Sequence, residues 1–355
     1  MRFVSPLLKH GVFPALAKLG YLRHRNGGGP AIVTYHGIMP QGYKMMDPDL
    51  DGSLVTAESF RRQIQLLKKQ YNVISPEEFL GWLDSKQELP PRAVLLTCDD
   101  DLRNTLTEMV PVLQEQKLSC LFFVTGASLD EVSSMLWYEQ LYLMFLATKK
   151  RVVNLDNVRP GSRDRALTQD EKRSLWWNLV KHLSKYDANA RQTMIEEVRA
   201  QLALPDDWGV HLLTDPLRKR FLMLNVTELL ALVAAGMAVG AHTLTHPVLS
   251  EISPEAAWNE ISESRCQLEK VIGRPVWALA YPFGDLTSVT ERELEMAERA
   301  GFTCAFLNIG GGFGAAMPRF ALPRVHVTGA MNLGEFEAHV SGFYRSLRQR
   351  FMHPA

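Results

Sequence analysis

Ala93-Val-Leu-Leu-Thr-Cys-Asp-Asp-Asp101 decides how this 355-residue chain folds. The apolar run entering Thr97 and Cys98 has no polar alternation, which is the pattern of a strand covered on both faces. Three successive carboxylates follow where the strand ends. Adjacent negative charges repel one another unless a cation or a raised pKa relieves them, so the cluster reads as a metal site or a catalytic acid/base. The bland alternative is a solvated loop whose aspartates cap a helix.

Working outward, strands and helices alternate. Upstream, after the breaker Gly27-Gly28-Gly29-Pro30, Ala31 to His36 predicts a buried strand opening into a loop. A helix near 57–70, an extended stretch at 71–75 and a helix over 76–84 lead to the strand 93–98. Downstream come a helix near 104–116, strands at 120–125 and 237–241, and a helix over 254–272. Strands at 276–281, 302–307 and 324–327 follow, with helices near 288–300 and 333–351. This rhythm predicts an α/β fold, a distorted barrel of βα units, in which chemistry gathers at the C-terminal strand ends. From about 126 to 221 the rhythm gives way to a charged, helical stretch containing Leu136-Trp-Tyr-Glu-Gln-Leu-Tyr and Lys172-Arg-Ser-Leu-Trp-Trp, read as an insertion. The expected organisation is an N-terminal basic and apolar helical segment over 1–30, then one barrel over 31–355 that carries the insertion.

Lys plus Arg equals Asp plus Glu at 39 each, so no global field draws the chain to nucleic acid. Cys98, Cys120, Cys266 and Cys304 are scattered, and three lie in apolar strand runs, which fits a reducing compartment. Lys9, His10, Gly11, Pro14 and Lys18 interrupt every signal-peptide core in the first 25 residues, so no cleavage and a cytoplasmic location are expected. Leu7, Val12, Phe13, Leu16 and Leu19 alternate with basic residues there. That is the pattern of a helix packed on a core, and a helix lying on a membrane shows it too, so peripheral membrane contact is a second, lesser expectation.

Two further clusters sit at predicted strand ends. Gly240-Ala-His242-Thr-Leu-Thr-His246 spaces two histidines four apart, a separation that converges on one ion if the segment is helical or tightly turned. Alone the spacing is weak. With a carboxylate cluster elsewhere, two imidazoles and one carboxylate would make a hydrolytic metal centre with open positions. Ala280-Tyr281-Pro282-Phe283-Gly284 reads as a strand ending in a turn, either an ordinary one or one presenting a backbone N–H to an oxyanion.

In this order the clusters resemble the NodB-homology polysaccharide deacetylases, carbohydrate esterase family four. The family's Thr-Phe-Asp-Asp-Gly motif is similar to Thr97 to Asp101, its His-Ser/Thr-x-x-His motif to His242 to His246, and its Pro-x-Gly turn to Pro282 and Gly284. Tyr35-His36-Gly-Ile and Leu322-Pro-Arg-Val325 resemble the poly-N-acetylglucosamine deacetylase branch. The resemblance spans roughly 31–125 and 221–345, outside the insertion.

It implies a (β/α)7-type barrel and a metal-dependent hydrolase removing N-acetyl groups from N-acetylhexosamine units of a polysaccharide or lipid-linked saccharide. It further implies Asp99 as base, Asp100, His242 and His246 as ligands of one divalent metal ion, and oxyanion stabilisation from the N–H of Tyr281 in its turn with Pro282 and Gly284. Zinc comes first, with cobalt, nickel and iron as the family's other metals. His36 is the implied proton donor to the leaving amine, and His326 is held in reserve.

The chain departs from the family at three points: Cys98 for Phe, Asp101 for Gly, and Ala280 for an Arg that often precedes the turn. Asp101 is expected to stand beside the ligands and perturb Asp99, and Arg324, ahead of Arg274, to orient the base. Two other readings stay open. One is a silent carbohydrate-binding protein gripping sugars with Trp137, Trp176, Trp177 and Trp208, although tryptophans more often pack cores. The other is a deacylase of a formamide or cyclic amide.

Overall fold

The computed structural model describes residues 5–23, 29–126, 129, 134–310 and 318–352. Gly27 and Gly28 of the predicted breaker lie outside these. Ten strands are described: β1 Ala31–Tyr35, β2 Asn72–Ile74, β3 Ala93–Cys98, β4 Leu121–Val124, β5 Val152–Val153, β6 Arg165–Ala166, β7 Ala238–Ala241, β8 Ala278–Ala280, β9 Cys304–Phe306 and β10 Val325–His326. The main sheet runs β10-β1-β3-β4-β7-β8-β9, with β2 on β3. All of its pairs are parallel. A bridge from Phe306 to Leu322 brings the approach to β10 back against β9, so the sheet curls into a distorted (β/α) barrel.

β3 is covered on both sides, as its unbroken apolar run requires. Val94, Leu96 and Cys98 pack in the layer that includes Phe60, Ile64 and Met109 of the helices. Ala93 and Leu95 face the opposite way, with Phe123, Ala280 and Phe306. Register sets Tyr35 beside Cys98 and Ala241 beside Leu279, so His36, Asp99, His242 and Tyr281 leave their strands at one end.

Local signals set the helix ends. Ser75 and Glu78 form a capping box around Pro76, and Ser253 caps the helix Pro254–Ile272. Two expected helices differ. The one near 104–116 opens as a π-turn over Thr105–Met109 and becomes α-helical at Val110–Glu115, because Pro111 has no N–H for the preceding turn. The one over 333–351 splits into Leu333–Val340 and Phe343–Met352, interrupted at Gly342 with φ +73°.

Between β4 and the helix Val226–Ala234 that leads into β7 lie the helices Trp137–Ala147, Gln169–Leu183, Ala188–Gln201, Trp208–Leu212 and Asp215–Phe221, with the small antiparallel β5–β6 pair. They close around their own core, including Trp137, Leu141, Trp176, Leu179, Ile195 and Phe221. Among the described residues no helix is long and apolar enough to cross a membrane.

Candidate metal centre and active-site cleft

The three successive carboxylates after β3 are relieved in three ways. Asp99, 2 % exposed, takes a two-pronged bond from Arg324, with Nη1 2.7 Å from Oδ1 and Nη2 2.6 Å from Oδ2. Burial, the largest single influence, would raise its pKa, but the Arg324 charge, His242, the Arg324 hydrogen bonds and His36 together outweigh it and hold the carboxyl below its usual range. Arg324 is itself buried, donates Nε–H to the Leu307 carbonyl at 3.1 Å, and lies over the rings of Phe123 and Phe306. Asp100 faces the two histidines. Asp101 points elsewhere: its carboxylate accepts the Thr125 N–H (3.2 Å) and hydroxyl (3.3 Å) at the end of β4.

The expected crowding of Asp99 by Asp101 is therefore corrected, since the extra carboxylate is spent on fastening β4. Cys98 points into the layer beneath the helices, as strand alternation requires, and burial pushes its thiol well up, so it acts as an apolar filler. Arg274 is exposed just beyond the helix Pro254–Ile272, and of the two candidate arginines it is Arg324 that meets Asp99.

Asp100 Oδ1 lies 3.4 Å from His242 Nε2 and 3.3 Å from His246 Nε2, and all three side chains are buried. The histidines converge from a tight turn rather than a helix, with Thr243 at φ +62° and His246 at φ +55°. Asp100, Asp101 and Phe283 also have positive φ, so strained backbone gathers around this point. The surroundings hold the turn. Buried Glu260 accepts the N–H groups of Leu244 (2.9 Å) and Thr245 (2.8 Å) and also the Thr245 hydroxyl. Trp137 of the insertion donates its indole N–H to the His246 carbonyl at 3.1 Å.

These residues fit a cation. His242 Nδ1 is 2.7 Å from the Ala280 carbonyl, so its proton belongs there and the Nε2 lone pair faces the Asp100 oxygen. His246 Nδ1 is buried without a partner, which leaves its Nε2 as the ring's polar contact. Two nitrogens and an oxygen around one point repel one another unless a positive charge lies between them. Ligands about 2.0–2.1 Å from a tetrahedral ion stand about 3.3–3.4 Å apart, matching the separations of the two histidine nitrogens from Asp100.

His36 leaves β1 with Nε2 3.8 Å from Asp99 Oδ2, and its ring centroid lies 4.5 Å from that of His326. Gly37 is required beside it. With φ +122°, a Cβ there would meet the Asn104 Oδ1, which accepts the Ile38 N–H. His326 is pushed down to about 3 by burial and by the neighbouring His36 charge, so it carries no proton to give at neutral pH.

The Tyr281 N–H, expected to meet an oxyanion, is corrected as well. It donates to the Phe306 carbonyl at 3.1 Å, as parallel pairing of β8 with β9 dictates, and is engaged in the sheet. The turn after it is built as expected. Gly284, at φ +62°, packs where a Cβ would strike the Asn308 backbone nitrogen, and Asn308 N–H donates to the Gly284 carbonyl.

These groups line a cleft of about 300 Å³, which the barrel alone does not wall. Tyr138, Trp176, Trp177 and Val180 come from the insertion, Asp49, Leu50 and Ser53 from the loop after β1, and Phe283, Asp285 and Asn308 from the turns after β8 and β9. Asn308 Oδ1 is buried without a partner. Of the four tryptophans considered as sugar platforms, Trp137, Trp176 and Trp208 are buried, whereas Trp177 is 45 % exposed at the cleft. Sequence reading missed Asn308, Tyr138 and Glu260. Only Glu260 left a signal, a charge on the stripe of Ala257, Ile261, Ser264 and Leu268 that its helix buries.

The model of the polysaccharide deacetylase family matches residues 157–305. Over that segment the chain is similar to polysaccharide deacetylases. The match takes in His242, His246 and the Pro282–Gly284 turn, on which the motif resemblance also rested, and begins inside the insertion, which the resemblance left out. No curated protein matches the chain. Among solved structures, the chain is similar to the Streptococcus pyogenes deacetylase PplD in complex with acetate, at 16 % identity and TM-score 0.54, covering 89 % of this chain and 99 % of that one. It is similar to IcaB from Ammonifex degensii at 17 % identity and TM-score 0.52, covering 90 % and 99 %. A de-N-acetylase from Aggregatibacter actinomycetemcomitans matches at 13 % identity and TM-score 0.53, covering 87 % and 99 %. At these identities the structural likeness shows the fold alone.

Proposed function

We propose that this protein is a metal-dependent hydrolase that removes acetyl groups from N-acetylhexosamine units of a saccharide. The observation that carries the proposal is the pairing, within one cleft, of a buried carboxylate held ionised by Arg324 with an adjacent Asp-His-His ligand set. A divalent ion held by Asp100, His242 and His246 supplies Lewis acidity toward the acetamide carbonyl and toward a water. Zinc suits two imidazoles and a carboxylate at tetrahedral spacing.

Asp99 serves as the base. Arg324 fixes both of its oxygens and keeps it unprotonated, so it is ready to take a proton from the attacking water. His36, beside Asp99 at the cleft, is placed to return a proton to the departing amine, whereas His326 is neutral and serves to orient His36. With the Tyr281 N–H engaged, the Asn308 side chain is the neighbouring polar group placed to contact the acyl or sugar portion. Trp177, Tyr138 and Phe283 give the cleft aromatic faces, which suits a sugar ring better than a small formamide or cyclic amide.

The test is acetate release from N-acetylglucosamine oligomers by the purified protein, with and without chelator, alongside metal content. Asp99→Asn should abolish release while retaining metal, and His242→Ala should lose both. A protein that binds metal but releases no acetate from any N-acetylated saccharide refutes the substrate class; one that binds no metal refutes the mechanism.

A further inference from the structure

The first 46 residues contain no Asp or Glu, and neither do the last 18. Together they carry nine Lys and Arg, so in a chain of zero formal charge the remainder is correspondingly acidic. The fold brings the two ends together. The helix Phe13–Lys18 packs on Leu333–Val340, and Phe13 meets Phe343 and Tyr344 of the last helix edge-on. The docking is close: a Cβ on Gly334 would fall 2.8 Å from the Pro14 nitrogen. Asn332 donates to the Lys9 carbonyl at 2.8 Å, and Lys9 pairs with Glu335 at 3.4 Å.

Docking fixes which side of the N-terminal segment looks outward. Phe13 and Leu22 are buried, with Leu8, Val12, Leu16 and Ala17 packed against them, so core packing explains that half of the apolar pattern. It does not explain Leu7, Leu19 and Tyr21, which remain 73 %, 80 % and 62 % exposed. Leu7, Gly11, Ala15 and Leu19 recur every four residues along one outward stripe, flanked by exposed His10 and Lys18. Arg345 and Arg348 stand on the last helix that packs beside it.

We infer that this outward face docks on an anionic lipid bilayer, inserting Leu7, Leu19 and Tyr21 among the acyl chains while the surrounding cations meet the headgroups. A basic rim around large apolar side chains, with Glu335 already paired to Lys9, is complementary to such a surface, where each added cation and each buried methylene strengthens binding. A second copy of this chain would bring cation against cation across the same face. The inference is independent of the catalytic reading.

The full-length protein is mixed with phosphatidylcholine vesicles, with or without phosphatidylglycerol, and co-flotation is measured at low and high salt. Binding is expected only to the anionic vesicles and should weaken with salt. Lys18→Glu should reduce it at least about fivefold, and Leu7→Gln with Leu19→Gln at least about tenfold. All three sites are exposed, so Tm and acetate release in solution should stay unchanged. No binding to anionic vesicles, or binding indifferent to these substitutions, overturns the inference. So does a concentration-dependent dimer abolished by Leu7→Gln with Leu19→Gln, because a second copy would then be what covers the face.

Discussion

Among the described residues, Arg324 and Arg220 are buried in ion pairs with carboxylates, and they do different things. Arg324 meets Asp99 one to one at the barrel's catalytic end. Arg220 sits at the seam between barrel and insertion and is shared: Nε is 2.7 Å from Asp51 Oδ1, Nη1 is 2.7 Å from Glu139 Oε1, and Nη2 donates to the Leu50 carbonyl. Tyr43 and the Met46 N–H also donate to Asp51. One cation for one anion keeps Asp99 ionised, and its two-pronged geometry fixes the carboxylate's orientation. One cation for two anions leaves one of them short: burial, with Asp100 and Asp51 adding to it against the pull of Arg220, raises Glu139 to about 7. Stoichiometry separates a charge poised for chemistry from a charge used as a clamp.

The largest expected effect is at the one-to-one pair. Asp99→Asn should lower kcat by at least about 100-fold, the lower end of what a lost general base costs, with metal content little changed, and should also cost about 3–5 kcal/mol of stability by stranding the buried Arg324 cation. Arg324→Met should cost about 3–5 kcal/mol of stability by stranding a buried carboxylate and shift the acid limb of the pH–rate profile upward as Asp99 loses its cation. An unmoved acid limb would mean that Arg324 does not set the base.

Arg220→Met should cost a similar 3–5 kcal/mol in thermal or chemical unfolding. At the clamp, however, kcat in the folded fraction should fall by less than about tenfold, because no reacting group is touched. If kcat collapses as is expected for Asp99→Asn, the distinction between poised charge and clamp is wrong. Replacing Arg220, Asp51 and Glu139 together with apolar residues should recover much of the lost stability, since stranding rather than loss of the cluster is what destabilises.

Trp177→Ala, on the insertion's wall of the cleft, should raise KM for an N-acetylglucosamine oligomer about tenfold, the equivalent of about 1.4 kcal/mol, and leave kcat and Tm nearly unchanged. An unaltered KM would make the insertion a scaffold rather than a binding surface.

The smallest effects are in pH dependence, and they have opposite signs. Glu139 is raised in the folded state, so its stabilising contribution is full below about 4.5 and is lost as pH rises through about 7. His326 and His339 are lowered by burial to about 3 and about 4, so their contributions are full above 6.5 and are lost as pH falls. Tm measured against pH should therefore decline less steeply between 4.5 and 7 in Glu139→Gln than in wild type. His326→Gln should blunt the loss on the acid side.

How much of this was legible in the sequence depended on whether the signal was local. The unbroken apolar run of β3 and the capped helices Ala57–Gln70 and Pro254–Ile272 follow from neighbours in the chain, and their bounds match the expected ones. The carboxylates after β3 advertised a site through their mutual repulsion. Their division of labour was not legible, because Asp101 is satisfied by Thr125, which only the pairing of β3 with β4 brings near. The Tyr281 N–H was misjudged for the same reason, since its partner on β9 depends on strand order. The insertion's share of the cleft was hidden too: Trp176 and Trp177 are adjacent, yet one is core and the other surface, a difference set by helix docking.

Asp99 also has a history within the chain's own synthesis. Its guanidinium partner lies 225 residues downstream, which at about 5–20 residues per second means a wait of roughly 10–45 s on the ribosome. Throughout that interval a carboxylate destined for burial has no counter-charge and must keep to water, so the end of β3 stays open while the helices of the insertion are already available to pack. The catalytic end is thus sealed late, by the strand carrying Arg324, and a chain interrupted before that residue would be left with a charge it cannot bury and an end it cannot close.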